Sequence, residues 1–286
     1  MNYYSLNKQS PIASFKEATI LGQAPDKGLY FPEFIPQVDK DLISNIEHIS
    51  NEEIAFRVIK PYVGNEIAED ELYRIVSETV NFPIPLVKVS ENISSLELFH
   101  GPTLAFKDMA MQFLGQVFPH VLHARGATLN ILGATSGDTG SAAEYAMRGK
   151  DAVAVFMLSP YGRMSAFQRA QMYSLQDANI HNIAVKGVFD EAQDIVKALA
   201  GDLVFKNKYH LGAVNSINWA RIAAQIVYYF HGWLRVTTGP GQQVSFAVPS
   251  GNFGNILSGH IARSMGLPIR RLVLATNENN VLDEFF

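Results

Sequence analysis

Short apolar runs, each joined to a turn or a helical stretch, recur through the second part of the chain. Five such runs occupy residues 128–134, 152–158, 181–186, 244–248 and 271–275. None of them alternates apolar with polar residues, and this pattern is typical of strands that are covered on both faces. Strand–helix units in succession favour a parallel sheet with right-handed crossovers. The sequence therefore predicts an α/β fold with parallel sheets flanked by helices.

The first 80 residues have a different pattern. Prolines interrupt them repeatedly, helical spacing appears over residues 52–60 and 69–80, and no alternation of strand and helix is visible. The segment Phe-Pro-Ile-Pro at residues 82–85 is expected to form a boundary, because each proline disfavours helix in the residue before it. We therefore predict an N-terminal domain over residues 1–80 and an α/β region over residues 81–286.

The composition excludes several classes of protein. Of the 286 residues, 48% are hydrophobic and 17% are charged, which predicts a chain that buries a core and is not disordered. A net charge of −4 gives no basic field for nucleic acid or an anionic membrane, and the absence of cysteine excludes disulfides and a thiolate nucleophile. The first residues lack a signal-peptide pattern, and no apolar run is long enough to span a bilayer. We expect a soluble, cytoplasmic protein without nucleic-acid or membrane partners.

Two glycine-bearing turns follow predicted strands and precede helical stretches. They occupy residues 133–140 (GATSGDTG) and 249–255 (PSGNFGN). The free N–H groups at the start of a helix, together with small residues that allow close approach, can bind an anion. Each turn taken alone favours an ordinary strand–helix connection, but two in one α/β region favour ligand binding at the carboxyl ends of the strands. Neither turn has the Walker or GxGxxG pattern.

Lys107 lies between Phe106 and an otherwise apolar helical run. A lysine that is partly removed from water has a lowered pKa and can form a Schiff base with an aldehyde. Taken alone, the position favours the alternative, an exposed lysine near the start of a helix. His181, His210, His231 and His260 lack the spacing of metal ligands, so we expect no metal site.

The segment LELFHGPTLAFKD at residues 96–108 strongly resembles the cofactor-lysine segment of threonine synthases. These enzymes depend on pyridoxal 5'-phosphate (PLP) and share the tryptophan synthase β-like fold, called fold type II. Further segments resemble the family in the expected order. They lie at residues 13–18, 28–32, 134–140, 215–218 and 248–255. The resemblance implies that residues 1–80 form the N-terminal domain of the family and that about 108–205 form the smaller catalytic subdomain.

The resemblance also implies roles for individual residues. Lys107 would be the lysine that bonds the cofactor and later carries a proton, and Asp138 would lie near the cofactor ring hydroxyl. The residues implied to hold the cofactor phosphate are Ser250, Gly251, Asn252, Phe253, Gly254 and Asn255. Those implied to hold the substrate carboxylate are Ser136, Gly137, Asp138, Thr139 and Gly140. Candidates for the substrate phosphate are Arg163, Ser165, Gln168, Asn215, Asn218 and Arg221. His100 is expected to support or pack against its neighbours.

The implied reaction converts O-phospho-L-homoserine and water to L-threonine and phosphate, the last step of threonine biosynthesis. Two alternatives stay open: a serine/threonine dehydratase-type lyase, and an inactive PLP-fold fragment that acts as a binding module. Members of the family continue beyond the position of Phe286, so we expect this chain to lack the later segment that supplies a hydroxyl partner for the cofactor ring nitrogen.

Overall fold

The computed structural model describes residues 1–44, 49–214, 217–250, 252–278 and 280–285. The described part contains strands β1 (Tyr3–Ser5), β2 (Tyr30–Pro32), β3 (Leu86–Lys88), β4 (Ser94–Leu96), β5 (Leu129–Ala134), β6 (Val153–Pro160), β7 (Ile180–Val185), β8 (Leu211–Gly212), β9 (Val244–Pro249) and β10 (Ile269–Ala275). Its helices are α1 (Phe15–Leu21), α2 (Lys40–Ser44), α3 (Asn51–Val63), α4 (Glu69–Thr79), α5 (Asp108–Arg125), α6 (Asp138–Met147), α7 (Ala166–Tyr173), α8 (Phe189–Gly201), α9 (Leu203–Lys208), α10 (Trp219–Val236), α11 (Gly254–Ser264) and α12 (Val281–Phe285).

The central sheet is parallel and has the strand order β7-β6-β5-β8. Helices α6 and α7 connect its successive strands, so β5, β6 and β7 form two strand–helix–strand units. Ile131, Val155 and Met157 are buried in it, as expected for strands with helices on their faces. A second parallel pair, β9 and β10, lies on either side of α11 in the sequence. All five predicted strands are present, with ends shifted by at most two residues. The expectation that each is covered on both faces is wrong for β7, β9 and β10, which carry several exposed residues in the described part of the chain.

The first 80 residues form helices α1 to α4 and a small antiparallel sheet of β1 and β2. The sequence pattern predicted α3 and α4 but missed this sheet, because each of its strands has three residues and shows no periodicity. An aromatic cluster joins this part to α10. The indole ring of Trp219 lies 5.0 Å from the ring of Phe31 and 5.2 Å from that of Tyr62. Such edge-on aromatic pairs bury large apolar surfaces.

Helix α10 is largely buried and contacts several other helices. Its first 15 residues are buried, including the apolar side chains of Ile222, Ile226, Phe230 and Trp233. It packs against helices α3, α5 and α11. A helix that is buried all round fixes the elements that surround it. None of the helices in the described part of the chain has the length and apolar character that crossing a membrane requires.

Candidate active site

The loop before α5 is built around the carboxylate of Asp108. Its Oδ2 accepts a hydrogen bond from the backbone N–H of Thr103 at 2.9 Å, and its Oδ1 accepts one from the Thr103 hydroxyl at 2.5 Å. Gly101 lies so close that a Cβ atom there would be 2.6 Å from Oδ2. Leu104 has a φ of 59°, a left-handed conformation that is uncommon outside glycine and is often found at functional sites. These contacts place Lys107 at the start of α5.

Lys107 is largely removed from water. Its side chain is 20% exposed, and its Nζ lies 3.6 Å from Oδ2 of Asp138 and 5.5 Å from the centroid of the Phe106 ring. Burial lowers the pKa of Lys107, the carboxylate of Asp138 opposes this shift, and the cation of Arg221 adds to it. A lowered pKa increases the fraction of neutral amine, which is the form that attacks an aldehyde.

The hydroxyl of Thr135 organises the turn between β5 and α6. Its Oγ1 accepts hydrogen bonds from the backbone N–H groups of Gly137 at 3.0 Å and Gly140 at 2.9 Å. These two N–H groups are therefore used inside the turn, which the sequence pattern did not reveal. The hydroxyls of Ser136 and Thr139 make no hydrogen bond to any described residue and are free to bind a ligand.

Helix α7 links this turn to the loop at residues 101–107, which precedes α5 and ends at Lys107 and is called the lysine loop below. Nε2 of Gln168 donates a hydrogen bond to Oδ1 of Asp138 at 2.5 Å. One turn further along, Nε2 of Gln171 donates to the backbone carbonyl of Thr103 at 3.0 Å. Ser165 is the N-cap of α7 and accepts from the backbone N–H of Gln168 at 3.2 Å. Helix α7 therefore connects the turn at 136–140 with the loop that leads to Lys107. From the sequence, this segment offered only Ser165 and Gln168, as candidates for the substrate phosphate.

The second turn, between β9 and α11, is anchored at Ser250. Its backbone N–H donates to the carbonyl of Ala275 at 3.0 Å, and its hydroxyl donates to the carbonyl of Asn252 at 2.8 Å. Phe253 precedes α11 directly, and Gly254, its first residue, leaves open space where a Cβ would stand. The start of α11 can therefore be approached closely by an anion. Gly251 lies outside the described residues.

Two consecutive tyrosines of α10 bring the lysine loop and the second turn to the same stretch of helix. The hydroxyl of Tyr228 donates to the carbonyl of Phe106 at 2.7 Å. The hydroxyl of Tyr229 donates to the carbonyl of Asn255 at 2.8 Å. Their Cα atoms are about 3.8 Å apart, as for any trans peptide, so one turn of α10 holds both segments. No local pattern in the sequence points to these two contacts, although a tyrosine in a buried helix requires a partner for its hydroxyl.

Comparison with known proteins identifies the family. Residues 2–80 match the model described as "Threonine synthase N terminus". Along its whole length the chain is 57% identical to a threonine synthase from Methylobacillus glycogenes and 51% identical to one from Corynebacterium glutamicum. The solved structure of PLP-bound threonine synthase from Brucella melitensis matches 99% of this chain with a TM-score of 0.94 at 44% identity.

The chain belongs to the threonine synthase family. It spans 63% of the length of the Methylobacillus glycogenes relative, 62% of the Corynebacterium glutamicum relative and 62% of the Brucella melitensis structure. The α/β fold that the resemblance to threonine synthases implied is confirmed by the last of these matches.

The remaining residues that the threonine synthase resemblance singled out differ in burial. Arg163 is exposed in the turn after β6, and its side chain bonds to no described residue. Asn218 is fully buried, accepts from the N–H of Ala220 at 3.0 Å and donates to the carbonyl of Thr19 at 2.9 Å. Its polar groups therefore serve the fold in this structure. Asn215 lies outside the described residues.

Arg221 is the other candidate cation, and it is almost fully buried. Its Nη1 donates to the carbonyl of Val214 at 2.8 Å, while its Nε meets no acceptor in the described part of the chain. Burial lowers the pKa of Arg221 to about 10. Its charge acts on Lys107 from the side of α10, opposite in sign to that of Asp138.

His100 contacts its neighbours in the sequence. Its Nε2 lies 2.6 Å from Oε2 of Glu97, and its ring stacks on that of Phe99 at 4.9 Å. Among the described residues, no group of three or more histidine, aspartate or glutamate side chains is arranged to hold a metal ion.

Proposed function

We propose that the protein is a PLP-dependent threonine synthase that converts O-phospho-L-homoserine and water to L-threonine and phosphate. The observation that carries this proposal is the position of Lys107, a desolvated amine 3.6 Å from a carboxylate of the turn at residues 136–140. Its pKa is lowered by burial, as a lysine that bonds an aldehyde requires. Family membership supports the reaction, and the cytoplasmic location stays a prediction from the sequence.

The donor groups fit PLP. The open start of α11 provides backbone N–H donors for a phosphate, and we assign that phosphate to residues 250–255. Tyr229 holds Asn255, and Tyr228 holds the loop that ends at Lys107, so both anchors of the cofactor would be fixed to α10. When bound, PLP supplies the electron sink that makes the α proton of an amino acid acidic.

The chain's own residues then have three tasks. The free hydroxyls of Ser136 and Thr139, with the N-terminal end of α6, would bind the substrate carboxylate. The Lys107 amine would take the α proton and return a proton later, and burial favours its neutral, proton-accepting form by lowering its pKa. The partly buried position would exclude bulk water from that amine.

The substrate phosphate requires a separate cation, because the protein carries a net charge of −4 and cannot attract an anion by its overall field. Arg163 is our leading candidate, since its guanidinium is exposed, has no described partner and lies on the loop that leads into α7. A bidentate guanidinium–phosphate pair is the geometry that would hold a leaving phosphate. Ser165 and Asn218 stay secondary candidates because both already bond within the fold.

A phosphate-release assay with O-phospho-L-homoserine tests this function in the full-length protein. The expected result is stoichiometric release of phosphate and formation of threonine, dependent on added PLP. A dehydratase-type lyase would instead form a keto acid from serine or threonine. A protein that binds PLP but turns over neither substrate would support the binding-module alternative.

A further inference from the structure

Two glutamines on one face of α7 bridge the two sides of the proposed active site. Gln168 and Gln171 are three residues apart, so they lie on the same side of the helix. Gln168 donates to Asp138 at 2.5 Å, and Gln171 donates to the carbonyl of Thr103 at 3.0 Å. Thr103 in turn binds Asp108, the residue next to Lys107. Helix α7 therefore connects both partners of the Lys107–Asp138 pair.

The carboxamide of Gln168 is held in one orientation. The Ser165 hydroxyl accepts from the backbone N–H of Gln168, so its own proton is available, and it donates to Oε1 of Gln168 at 3.1 Å. That contact directs Nε2 toward Asp138. Gly137 has a φ of 153°, and any Cβ there would collide with the Gln168 carboxamide. The turn thus has a glycine where the glutamine must approach its backbone.

The two oxygens of Asp138 face different partners. Oδ1 accepts the hydrogen bond from Gln168 at 2.5 Å, whereas Oδ2 lies 3.6 Å from Nζ of Lys107. A charge-assisted hydrogen bond between an ammonium and a carboxylate is normally about 2.7–2.9 Å long. The carboxylate is therefore bonded to the glutamine and stays short of full contact with the lysine.

We propose that Gln168 is a positioning residue, which holds the Asp138 carboxylate away from direct contact with Lys107 so that the amine stays free to react. This inference rests on the proposed function, because it gives Lys107 the role of nucleophile. The charged groups that act on Lys107 are Asp138 on α6 and Arg221 on α10, and the neighbouring Asp108 carboxylate is turned into its own loop. Of the two carboxylates, Asp138 is the one with an oxygen facing Nζ, at 3.6 Å.

The test measures the reactivity of Lys107 in the absence of cofactor. Trace acetylation with acetic anhydride across a pH series, read for the Lys107 peptide by mass spectrometry, gives the pH at which the amine becomes half reactive. In Gln168→Met the carboxylate loses its donor and can bond Nζ directly, which stabilises the ammonium. We expect the midpoint to rise by about one pH unit, the lower end of the shifts that a close opposite charge causes. Reactivity below the midpoint should then fall about tenfold. Gln116→Met, a matched change on α5, should leave the midpoint in place.

A double-mutant cycle with Asp138→Asn separates positioning from a general structural effect. If Gln168 acts through Asp138, Gln168→Met will not shift the midpoint further in the Asp138→Asn background. A shift that persists there, or an unchanged midpoint in Gln168→Met alone, would overturn the inference. Gln168→Asn is the second variant, for use if Gln168→Met folds poorly. Its side chain is one methylene shorter and cannot reach Asp138, so the same rise of the midpoint is expected.

The outcome is independent of whether the protein uses PLP, since acetic anhydride reacts with any amine. A protein that fails to bond PLP yet shows the predicted midpoint shift would contradict the proposed function and keep the role of Gln168. A protein that bonds PLP but shows no midpoint shift in Gln168→Met would support the proposed function and contradict the positioning role.

Discussion

The lysine side and the substrate side of the candidate site are constructed differently. On the lysine side, the Asp108 carboxylate holds the loop from within, and Tyr228 of the buried helix α10 holds it from outside. On the substrate side, Ser136 and Asp138 of the turn at 136–140 are exposed, although Gly137 and Gly140 are buried. Most of the loop after β6 is exposed as well, and Tyr161 and Phe167 are 68% and 58% exposed. The proposed nucleophile, Lys107, is therefore fixed before a ligand arrives, whereas most of the groups proposed to hold the substrate stay accessible. Segments with few buried contacts are the ones that open and close most easily.

Removal of the fixed amine should have the largest effect. We expect Lys107→Ala in the full-length protein to lower kcat for O-phospho-L-homoserine by about 10³-fold or more, since general acid–base catalysis alone contributes about 10²–10⁴-fold. Steady-state phosphate release measures this. Lys60→Ala, on α3, is the matched control. Retention of more than a tenth of the activity would remove Lys107 from the catalytic step.

On the exposed side, loss of the proposed phosphate clamp should cost less. Arg163→Ala is expected to lower kcat/KM roughly a hundredfold, because removal of one charge-stabilising group typically costs about 2.7–4 kcal/mol and each 1.36 kcal/mol is tenfold. PLP binding, followed by its visible absorption, should be unchanged. Arg169→Ala, an exposed change on α7, serves as the control. Full activity in Arg163→Ala would move the clamp to Arg221 or to a group outside the described residues.

Beneath the exposed turn, helix α6 carries a buried acid whose effect depends on pH. Burial raises the pKa of Glu144 from 4.5 to about 8, partly offset by the hydrogen bond from Asn182. The folded state therefore holds a proton that the unfolded state releases, so this contribution to stability is complete below pH 4.5 and is lost as the pH rises to about 8. We expect the free energy of unfolding to fall by about 2 kcal/mol more between pH 6 and 8 in the wild type than in Glu144→Gln. Urea denaturation at both pH values measures the free energy of unfolding. An equal change between pH 6 and 8 in both proteins would mean that Glu144 is charged in the folded state.

The two tyrosines of α10 should give the smallest effects, and they compare the two anchors directly. Tyr228→Phe removes the hydrogen bond to the lysine loop, and Tyr229→Phe removes the one to Asn255. Each loss is expected to cost about 1 kcal/mol, which is roughly fivefold in an equilibrium constant. Tyr229→Phe should weaken PLP affinity by that factor, measured by titration, whereas Tyr228→Phe should act mainly on the rate at which Lys107 bonds the cofactor. The opposite assignment would show that the anchors are not separate.

The sequence predicted those parts of the molecule that depend on local pattern. The five apolar runs predicted strands because strands that pack against helices need apolar residues. The role of Lys107 as the cofactor lysine rests on the resemblance of FHGPTLAFKD to the family and stays a prediction. The links between these parts depend on the tertiary fold, and the sequence did not reveal them. Tyr228 and Tyr229 lie in a largely apolar stretch of the sequence, and only the fold shows that their hydroxyls reach Phe106 and Asn255.

The same limit applies within the site. Gln168 and Asp138 are 30 residues apart, and no spacing rule predicts the bond between them. Thr135 precedes the turn at 136–140, and only the folded structure shows that its hydroxyl accepts hydrogen bonds from the N–H groups of Gly137 and Gly140. The roles of Gly251 and Asn215 stay predictions from the family resemblance, since both residues lie outside the described part of the chain.

The most direct test of the central claim is to find which lysine bonds the cofactor. The protein is incubated with PLP, reduced with borohydride, digested and mapped by mass spectrometry, with Lys107→Ala treated in parallel. We expect one pyridoxyl group on the peptide that contains Lys107 and none on the corresponding peptide of the variant. A pyridoxyl group on another lysine, or labelling that is equal in both proteins, would contradict the assignment of this site.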